Sequence, residues 1–143
     1  MSLNQLYQQS LLAHNRAPRH RHPLDGATHR AHGLDALCGD DLWVWLKIRD
    51  GRCIEASWSG EACVVTTAAA SMLTDWLPGR SRTELEQAWQ AFQQLLDAPD
   101  SPVTVDLGEL AQLAPVGAFP ARRRNALLPW RTAIDAWDHG KVG

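Results

Sequence analysis

The chain opens with apolar side chains at helical spacing and then changes to a basic, proline-containing stretch. Residues 3–15 carry an apolar position every three or four residues, which predicts an amphipathic helix ended by Pro18. The apolar positions are Leu3, Leu6, Tyr7 and Leu11. Residues 16–26, RAPRHRHPLDG, predict a loop because proline, glycine and charge disfavour a regular element.

The following segments have the two-residue period of β-strands. Residues 42–48, LWVWLKI, are aromatic and branched, and the turn signal Asp50-Gly51 separates them from residues 53–59, CIEASWS. This pattern predicts a β-hairpin, with residues 27–33 as a short edge strand. In the second strand, the side chains of Cys53, Glu55 and Ser57 are predicted on one face of the sheet. Those of Ile54, Ala56 and Trp58 are predicted on the other face. Polar residues at alternate positions predict an antiparallel sheet with one face in water.

Helical patterns fill the rest of the chain. From about residue 62, ACVVTTAAASMLTDWL predicts a helix that stops at the following Pro-Gly pair. The next helix opens at Ser81 or Thr83, where Glu84 or Glu86 can complete a capping box. The order of helix, strands and then several helices predicts an α+β fold, with a small antiparallel sheet of about three strands.

A loop over residues 97–106 leads to a short helical turn, GELAQLA, and then to a final helix. The final helix contains Pro129, and a proline inside a helix costs about 3 kcal/mol, whereas the first helical position tolerates it. We therefore expect this helix either to start near Leu128 or to kink there. Either outcome could move Asn125, three residues before Leu128, away from the candidate site.

Composition and charge exclude several functions. The chain has 143 residues, which suits one domain over 1–143, and 14 Lys and Arg nearly balance 16 Asp and Glu. This balance argues against binding nucleic acid or anionic lipid through bulk charge. The sequence has no apolar run of about 18 residues to span a membrane, and its N-terminus lacks the pattern of a secretory signal. Three cysteines, an odd number, favour a reducing cytoplasm over a disulfide framework.

Two cysteines and an aspartate flank the predicted hairpin. Cys38 and Asp40 lie in a loop before its first strand, and Cys63 follows its second strand where a helix begins. The hairpin can bring both ends to the same edge of the sheet, so that Cys38 and Cys63 face each other. A cysteine in the first turn of a helix meets unpaired N–H groups and the positive end of the helix dipole, which favour thiolate.

Thiolates beside a carboxylate suit two kinds of chemistry. They can hold zinc or iron, or they can relay sulfur when a thiolate attacks a persulfide. Alternatively, Cys38 and Cys63 are small buried apolar side chains, and spacing alone leaves both interpretations open. For Cys53, far from the other two along the hairpin, we favour burial.

Four longer stretches carry motifs in a recognisable order. They are LYQQSLLAHNRAPRH, LCGDD, DGRCIEASWSGEACVVTTAAASMLTDWLPGR and GELAQLAPVGAFPARRRNALLPW. In these stretches the chain resembles the NifU/IscU-type iron–sulfur cluster assembly scaffolds, most closely the SufU subtype. LCGDD is similar to the family's C-G-D loop, and the last stretch is similar to the SufU pattern F-P-A-R-x-x-C-A-x-L-x-W. Residues 79–118 resemble the insertion that distinguishes SufU from IscU.

The resemblance implies a small antiparallel sheet packed on helices, with a shallow metal site near one tip. It implies that Cys38, Asp40 and Cys63 hold zinc, or iron and a transient iron–sulfur cluster, together with a third cysteine. It also implies that Cys38 or Cys63 accepts sulfur from a SufS-like cysteine desulfurase, and that other iron–sulfur assembly proteins are partners.

The chain departs from the family at the third cysteine, where Asn125 stands. An asparagine carbonyl is a hard oxygen ligand, poorly matched to zinc or iron beside thiolates. The histidine that IscU proteins carry just before that cysteine is also absent, because Arg124 occupies the position. The three remaining ligands match an open catalytic zinc site better than a closed structural one, with water, a partner's cysteine or Asn125 in fourth place. Alternatively, no metal binds.

Further side chains near these motifs have simpler interpretations beside functional ones. Four of the five histidines before the C-G-D loop are expected in solvated loop and strand positions, with metal ligation as the less favoured alternative. They are His20, His22, His29 and His32. The basic run Arg122, Arg123 and Arg124 is either a solvated helix start, a docking patch for an acidic partner, or a charge that holds a cysteine as thiolate.

Three functions are compatible with these observations. The favoured one is an iron–sulfur scaffold or sulfur acceptor, and the alternative is a metal-free adaptor that binds the desulfurase or the assembly complex. A hydrolase with a metal-bound water, and Asp41 or Glu61 as its base, is the weakest hypothesis.

Overall fold

Hydrogen bonding in the computed structural model, which describes residues 3–143, forms one antiparallel sheet, four α-helices and a 3-10 helix. The strands are β1 (His29–Asp35), β2 (Asp40–Arg49) and β3 (Arg52–Glu61). The helices are α1 (Leu3–Arg16), α2 (Val64–Trp76), α3 (Arg82–Asp97) and α4 (Pro120–His139), and the 3-10 helix is Gly108–Ala118. The strand order is β1-β2-β3, so the predicted α+β fold with a small antiparallel sheet is confirmed.

One face of the sheet packs on helices and the other faces water, as the alternation predicts. The core-facing side chains of β2 are Leu42, Val44 and Leu46. Asp41 and Trp43, between them, are exposed. On β1, a Cβ added to Gly33 would come within 2.1 Å of Thr132 Oγ1 on α4. The missing side chain therefore lets α4 approach the sheet closely.

The alternation predicted for β3 is wrong at its start because a β-bulge lies there. Lys47 pairs with Glu55, whereas Ile48 pairs with Cys53, which leaves Ile54 as the extra residue. The bulge turns Cys53 into the core, 0% exposed, and leaves Ile54 39% exposed. The predicted burial of Cys53 is confirmed, and this burial raises the pKa of its thiol to about 12.

Helix α4 starts earlier than the sequence predicts. Pro120 occupies its first turn, and the helix continues through Pro129 to His139. The expected start near Leu128 is therefore wrong, because a proline at the helix start is well tolerated and tertiary packing holds the second one. Asn125 consequently stays inside the helix, where it is fully buried. Pro129 has no N–H for the carbonyl of Asn125, four residues earlier.

Polar contacts as well as apolar packing hold helices α1 and α3 in place. The capping box predicted for α3 is present, since Ser81 and Glu84 each accept the other's backbone N–H. Buried His14 of α1 lies 2.6 Å from Ser71 Oγ and 2.9 Å from a carboxylate oxygen of Glu109.

No helix in the described part of the chain has the length and apolar character needed to cross a membrane.

Candidate functional site

Asp40 is the centre of a buried polar group where β2 begins. It is the first residue of the strand, not part of the preceding loop, and its register partner is Asp35 of β1. Its Oδ1 accepts the backbone N–H of Cys63 at 2.8 Å. Its Oδ2 accepts the Thr66 hydroxyl at 2.6 Å and the Asn125 amide at 3.0 Å. With 1% of its surface exposed, this carboxylate depends on these donors.

Cys63 lies one position earlier relative to α2 than predicted. It is the N-cap residue rather than part of the first turn, and its side chain makes no capping hydrogen bond. Its Sγ lies 3.3 Å from Thr66 Oγ1 and 3.9 Å from Asp40 Oδ2. The predicted proximity of Cys63 and Asp40 is confirmed, because antiparallel pairing of Asp41 with Glu61 brings both chain ends together.

Asn125 contributes an amide donor from α4. Its side chain is 0% exposed, and its Nδ2 points to Asp40. The carboxylate fixes this orientation, since the flipped amide would set two acceptors against each other. Asn125 Oδ1 is buried and has no hydrogen-bond partner among residues 3–143. The expected displacement of Asn125 from the site is thus wrong.

Cys38 belongs to a different contact set. It lies half-buried in the turn between β1 and β2, and its Sγ accepts a hydrogen bond from Arg124 Nη2 at 3.4 Å. Arg124 Nε donates to Asp35 Oδ2 at 2.8 Å, and Asp35 also accepts the backbone N–H of Leu37 at 3.0 Å. The hydrogen bond from Arg124 holds the pKa of Asp35 below its ordinary value. Within the described residues, Cys38 makes no hydrogen bond to Cys63 or to Asp40.

The surface beside Cys38 is apolar and basic. A shallow depression of about 220 Å³ lies next to the turn. It is lined by Leu34, Asp35, Ala36, Leu37, Arg124, Leu128 and Arg131. Leu34 is 62% exposed and Leu37 is 85% exposed, so two large apolar side chains flank the cysteine in open solvent. Exposed apolar side chains grouped in this way are typical of protein-docking surfaces.

The residues present do not fit a zinc or iron ion in this arrangement. Over residues 3–143, no three His, Cys, Asp or Glu side chains lie together as a possible metal site. The four histidines considered as metal ligands have other partners. His20 contacts Asp75, His22 contacts the carbonyl of Pro23, His29 contacts Thr28, and His32 contacts Asp41. The Asp40 carboxylate already accepts three hydrogen bonds, which leaves about one of its acceptor positions for a metal.

Two residues of this site, Asp35 and Thr66, carried no clear signal in the sequence, whereas the basic run with Arg124 was a candidate for holding a cysteine as thiolate. Asp35 binds both the turn and Arg124, and its position three residues before Cys38 is a spacing at which aspartate accepts backbone N–H groups of a turn. Thr66 lies one helical turn after Cys63, where its hydroxyl can reach back. The pairing of Arg124 with Cys38 joins positions 86 apart in the chain, so local patterns do not reveal it.

Comparison with known proteins agrees with the fold and the motifs. Residues 6–126 match the NifU-like N terminal domain family. "Iron-sulfur cluster assembly scaffold protein IscU" of Streptococcus pyogenes serotype M1 is 29% identical over 134 residues, 94% of this chain and 84% of that protein. "Zinc-dependent sulfurtransferase SufU" of Bacillus subtilis (strain 168) is 29% identical over 131 residues, 91% of this chain and 88% of that protein.

A solved structure gives the same fold. The N-terminal part of a nitrogen-fixing NifU-like protein from Brucella abortus superposes with a TM-score of 0.78 at 23% identity, over 95% of each chain. The three-stranded antiparallel sheet packed on helices is thus a fold that this chain shares with that NifU-like structure. The chain belongs to the NifU-like N terminal domain family, and the resemblance inferred from its motifs is confirmed.

Proposed function

We propose that this protein accepts sulfur from a cysteine desulfurase on Cys38 and passes it on during iron–sulfur cluster assembly. Two relatives support this role by name, one as an assembly scaffold and one as a sulfurtransferase. The observation that carries the choice of residue is the contact of the Cys38 sulfur with the Arg124 guanidinium, on an accessible turn. We expect the setting to be the cytoplasm, because all three cysteines are free thiols.

The environments of the two accessible cysteines favour Cys38 over Cys63. A guanidinium 3.4 Å from the Cys38 sulfur attracts negative charge on that sulfur. The Cys63 sulfur instead lies 3.9 Å from the Asp40 carboxylate, which repels such a charge. Since the thiolate is the attacking species in sulfur exchange, Cys38 is the better acceptor.

The transfer needs no oxidant beyond the persulfide of the desulfurase. The Cys38 thiolate attacks the outer sulfur of that persulfide, and a new S–S bond forms at Cys38. The S–S bond within the desulfurase breaks, and its cysteine leaves as a thiolate. Arg124 faces the attacking sulfur and Asp35 holds Arg124 in place, so this pair positions the charge for attack.

The surface around Cys38 supports docking of a protein partner. Leu34 and Leu37 are exposed, at 62% and 85%. Helix α4 supplies Arg124 and Arg131 to the depression that these leucines line. We expect the contacting face of the desulfurase to be apolar at its centre and acidic at its rim, which would speed encounter at low salt.

Radiolabelled cysteine tests the assignment. The purified protein is incubated with a cysteine desulfurase and [35S]cysteine, and the label on each chain is measured under non-reducing conditions. Wild-type protein and Cys53→Ser should carry reductant-sensitive label, Cys63→Ser should retain it, and Cys38→Ser should lose it. Label that persists in Cys38→Ser but disappears in Cys63→Ser would assign the role to Cys63. An unlabelled wild-type chain that still binds the desulfurase would favour the adaptor function.

A second pair of variants separates the local charge from the general basicity of α4. Arg124→Ala should slow labelling of Cys38 at saturating desulfurase, because the cation beside the sulfur is removed. Arg122→Ala is the matched control, since it removes the same charge from the same helix and makes no hydrogen bond to Cys38 in the described structure. Equal slowing by both variants would indicate that labelling depends on the general basicity of α4 and not on the cation beside the sulfur.

A further inference from the structure

We infer that the side-chain amide of Asn125 closes the Asp40 site by hydrogen bonding, in place of a metal ion held with a third cysteine. The wild-type protein would therefore keep this site ordered without tightly bound zinc. This inference deepens the proposed function because it concerns the neighbouring residues of the same site. It does not require that Cys38 accept sulfur, so the two proposals can fail separately.

The Asp40 carboxylate already accepts several hydrogen bonds from the protein. An ionised carboxylate offers about four acceptor positions. The Cys63 backbone N–H, the Thr66 hydroxyl and the Asn125 amide occupy three of them at 2.6–3.0 Å, and the Cys63 thiol approaches at 3.9 Å. A buried carboxylate is stable only when its charge is compensated, and donors from the start of α2 and from α4 supply that compensation.

The identity of the donor at Asn125 is the second step. Its Nδ2 carries protons and cannot coordinate a metal, and its Oδ1 is turned away from Asp40. Rotating the amide to offer Oδ1 as a ligand would remove one hydrogen bond from Asp40. The oxygen would also be a hard donor beside a soft thiolate, a poor combination for zinc. Asn125 therefore completes the hydrogen-bonded arrangement better than a metal-bound one.

The position of Cys38 is the third step. Its sulfur is paired with Arg124, which is itself paired with Asp35 at 2.8 Å. A guanidinium next to a ligand sulfur repels a metal cation, and moving Cys38 toward Cys63 would break this contact. Of the four positions that would hold the metal, Asn125 supplies no thiol, Asp40 has about one acceptor position left, and Cys38 faces a cation. Cys63 alone is left without such an obstacle.

Zinc binding by matched variants tests this inference. Wild type, Asn125→Cys and Asn125→Ser are loaded with zinc, dialysed, and assayed for metal by elemental analysis and by transfer to a colorimetric chelator. We expect Asn125→Cys to retain about one zinc per chain, and wild type and Asn125→Ser to retain none. The serine variant is the control because it also removes the amide but supplies no thiolate. If Asn125→Cys/Arg124→Ala also holds no more zinc than Asn125→Ser, the inference is wrong.

Thermal unfolding of the wild-type protein gives a test that does not depend on a variant folding. Since a ligand that binds only the native state raises the midpoint, the wild-type midpoint should be unchanged by zinc or by a chelator. The midpoint of metal-free Asn125→Cys should fall below that of wild type and recover with zinc. A wild-type midpoint that rises with one equivalent of zinc, in a manner abolished by Cys63→Ser, would overturn the inference. Sulfur labelling of the same preparations is scored independently, so a zinc-binding chain that accepts sulfur refutes this inference alone.

Discussion

Replacing Thr66 by valine removes one donor from the buried carboxylate of Asp40 and keeps the side-chain shape. The Thr66 hydroxyl lies 2.6 Å from Asp40 Oδ2, and the two residues are 0% and 1% exposed. Water cannot reach the carboxylate to replace the lost donor. A hydrogen bond to a charged group contributes about 1.5–3 kcal/mol, so we expect the free energy of unfolding to fall by about 2 kcal/mol.

Thr67 offers a matched control on the same helical turn. Its hydroxyl donates to the uncharged carbonyl of Ala62 at 3.3 Å, a longer and weaker bond. Thr67→Val should therefore cost only about 0.5–1 kcal/mol. Thr66→Ser retains the hydroxyl and should recover most of the loss caused by Thr66→Val.

Urea unfolding followed by tryptophan fluorescence measures these differences, with equal slopes required for a valid comparison. At about 2–4 °C per kcal/mol, Thr66→Val should lower the thermal midpoint by about 4–8 °C. A loss for Thr66→Val that is no larger than that for Thr67→Val would refute the reasoning, because the charge on Asp40 would then add nothing to the bond.

Three further outcomes are expected from the structure. Iodoacetamide at neutral pH should alkylate two thiols of the native chain and reach the third, Cys53, only after unfolding, because burial raises its pKa to about 12; native labelling of Cys53 would contradict this. Gly33→Ala should destabilise by about 1–3 kcal/mol through its clash with Thr132, and the double variant with Thr132→Ala should lose less than the sum. The hydrogen bond from Arg82 holds the pKa of Asp138 below its ordinary value, so this pair stabilises the fold above about pH 4 and loses its effect as the pH falls through the lowered pKa. The stability difference between wild type and Asp138→Asn should thus be constant near pH 6 and shrink in acid, and a difference that persists at pH 2 would contradict it.

The elements that the sequence predicts well are those with a local cause. The hairpin around Asp50-Gly51 and the capping box at Ser81 depend on residues within a few positions of each other. The bulge at Ile54 was missed because it depends on pairing with another strand. The start of α4 was missed for a related reason, since tertiary packing outweighs the cost of Pro129 inside the helix.

The candidate site divides in the same way. Asp40 and Cys63 were expected together because antiparallel pairing must bring the start of β2 beside the end of β3. Cys38 was expected to face Cys63, but its sulfur contacts Arg124 from a helix far along the chain. No spacing rule predicts which arginine of a basic run reaches a cysteine, because this depends on how α4 lies across β1.

The structure gives Asp40 two tasks that compete with metal binding. Its carboxylate fastens the start of α2 through the Cys63 N–H and the Thr66 hydroxyl, and it fastens α4 through Asn125. A metal ion bound to thiolates could compensate the buried charge of Asp40. In this protein the amide of Asn125 supplies a neutral hydrogen-bond donor instead. Because hydrogen bonds alone then satisfy the carboxylate, the sheet end, α2 and α4 can remain joined whether or not Cys38 carries sulfur. If Cys38 accepts sulfur as we propose, the protein can take up and release that sulfur without loosening the fold beneath it.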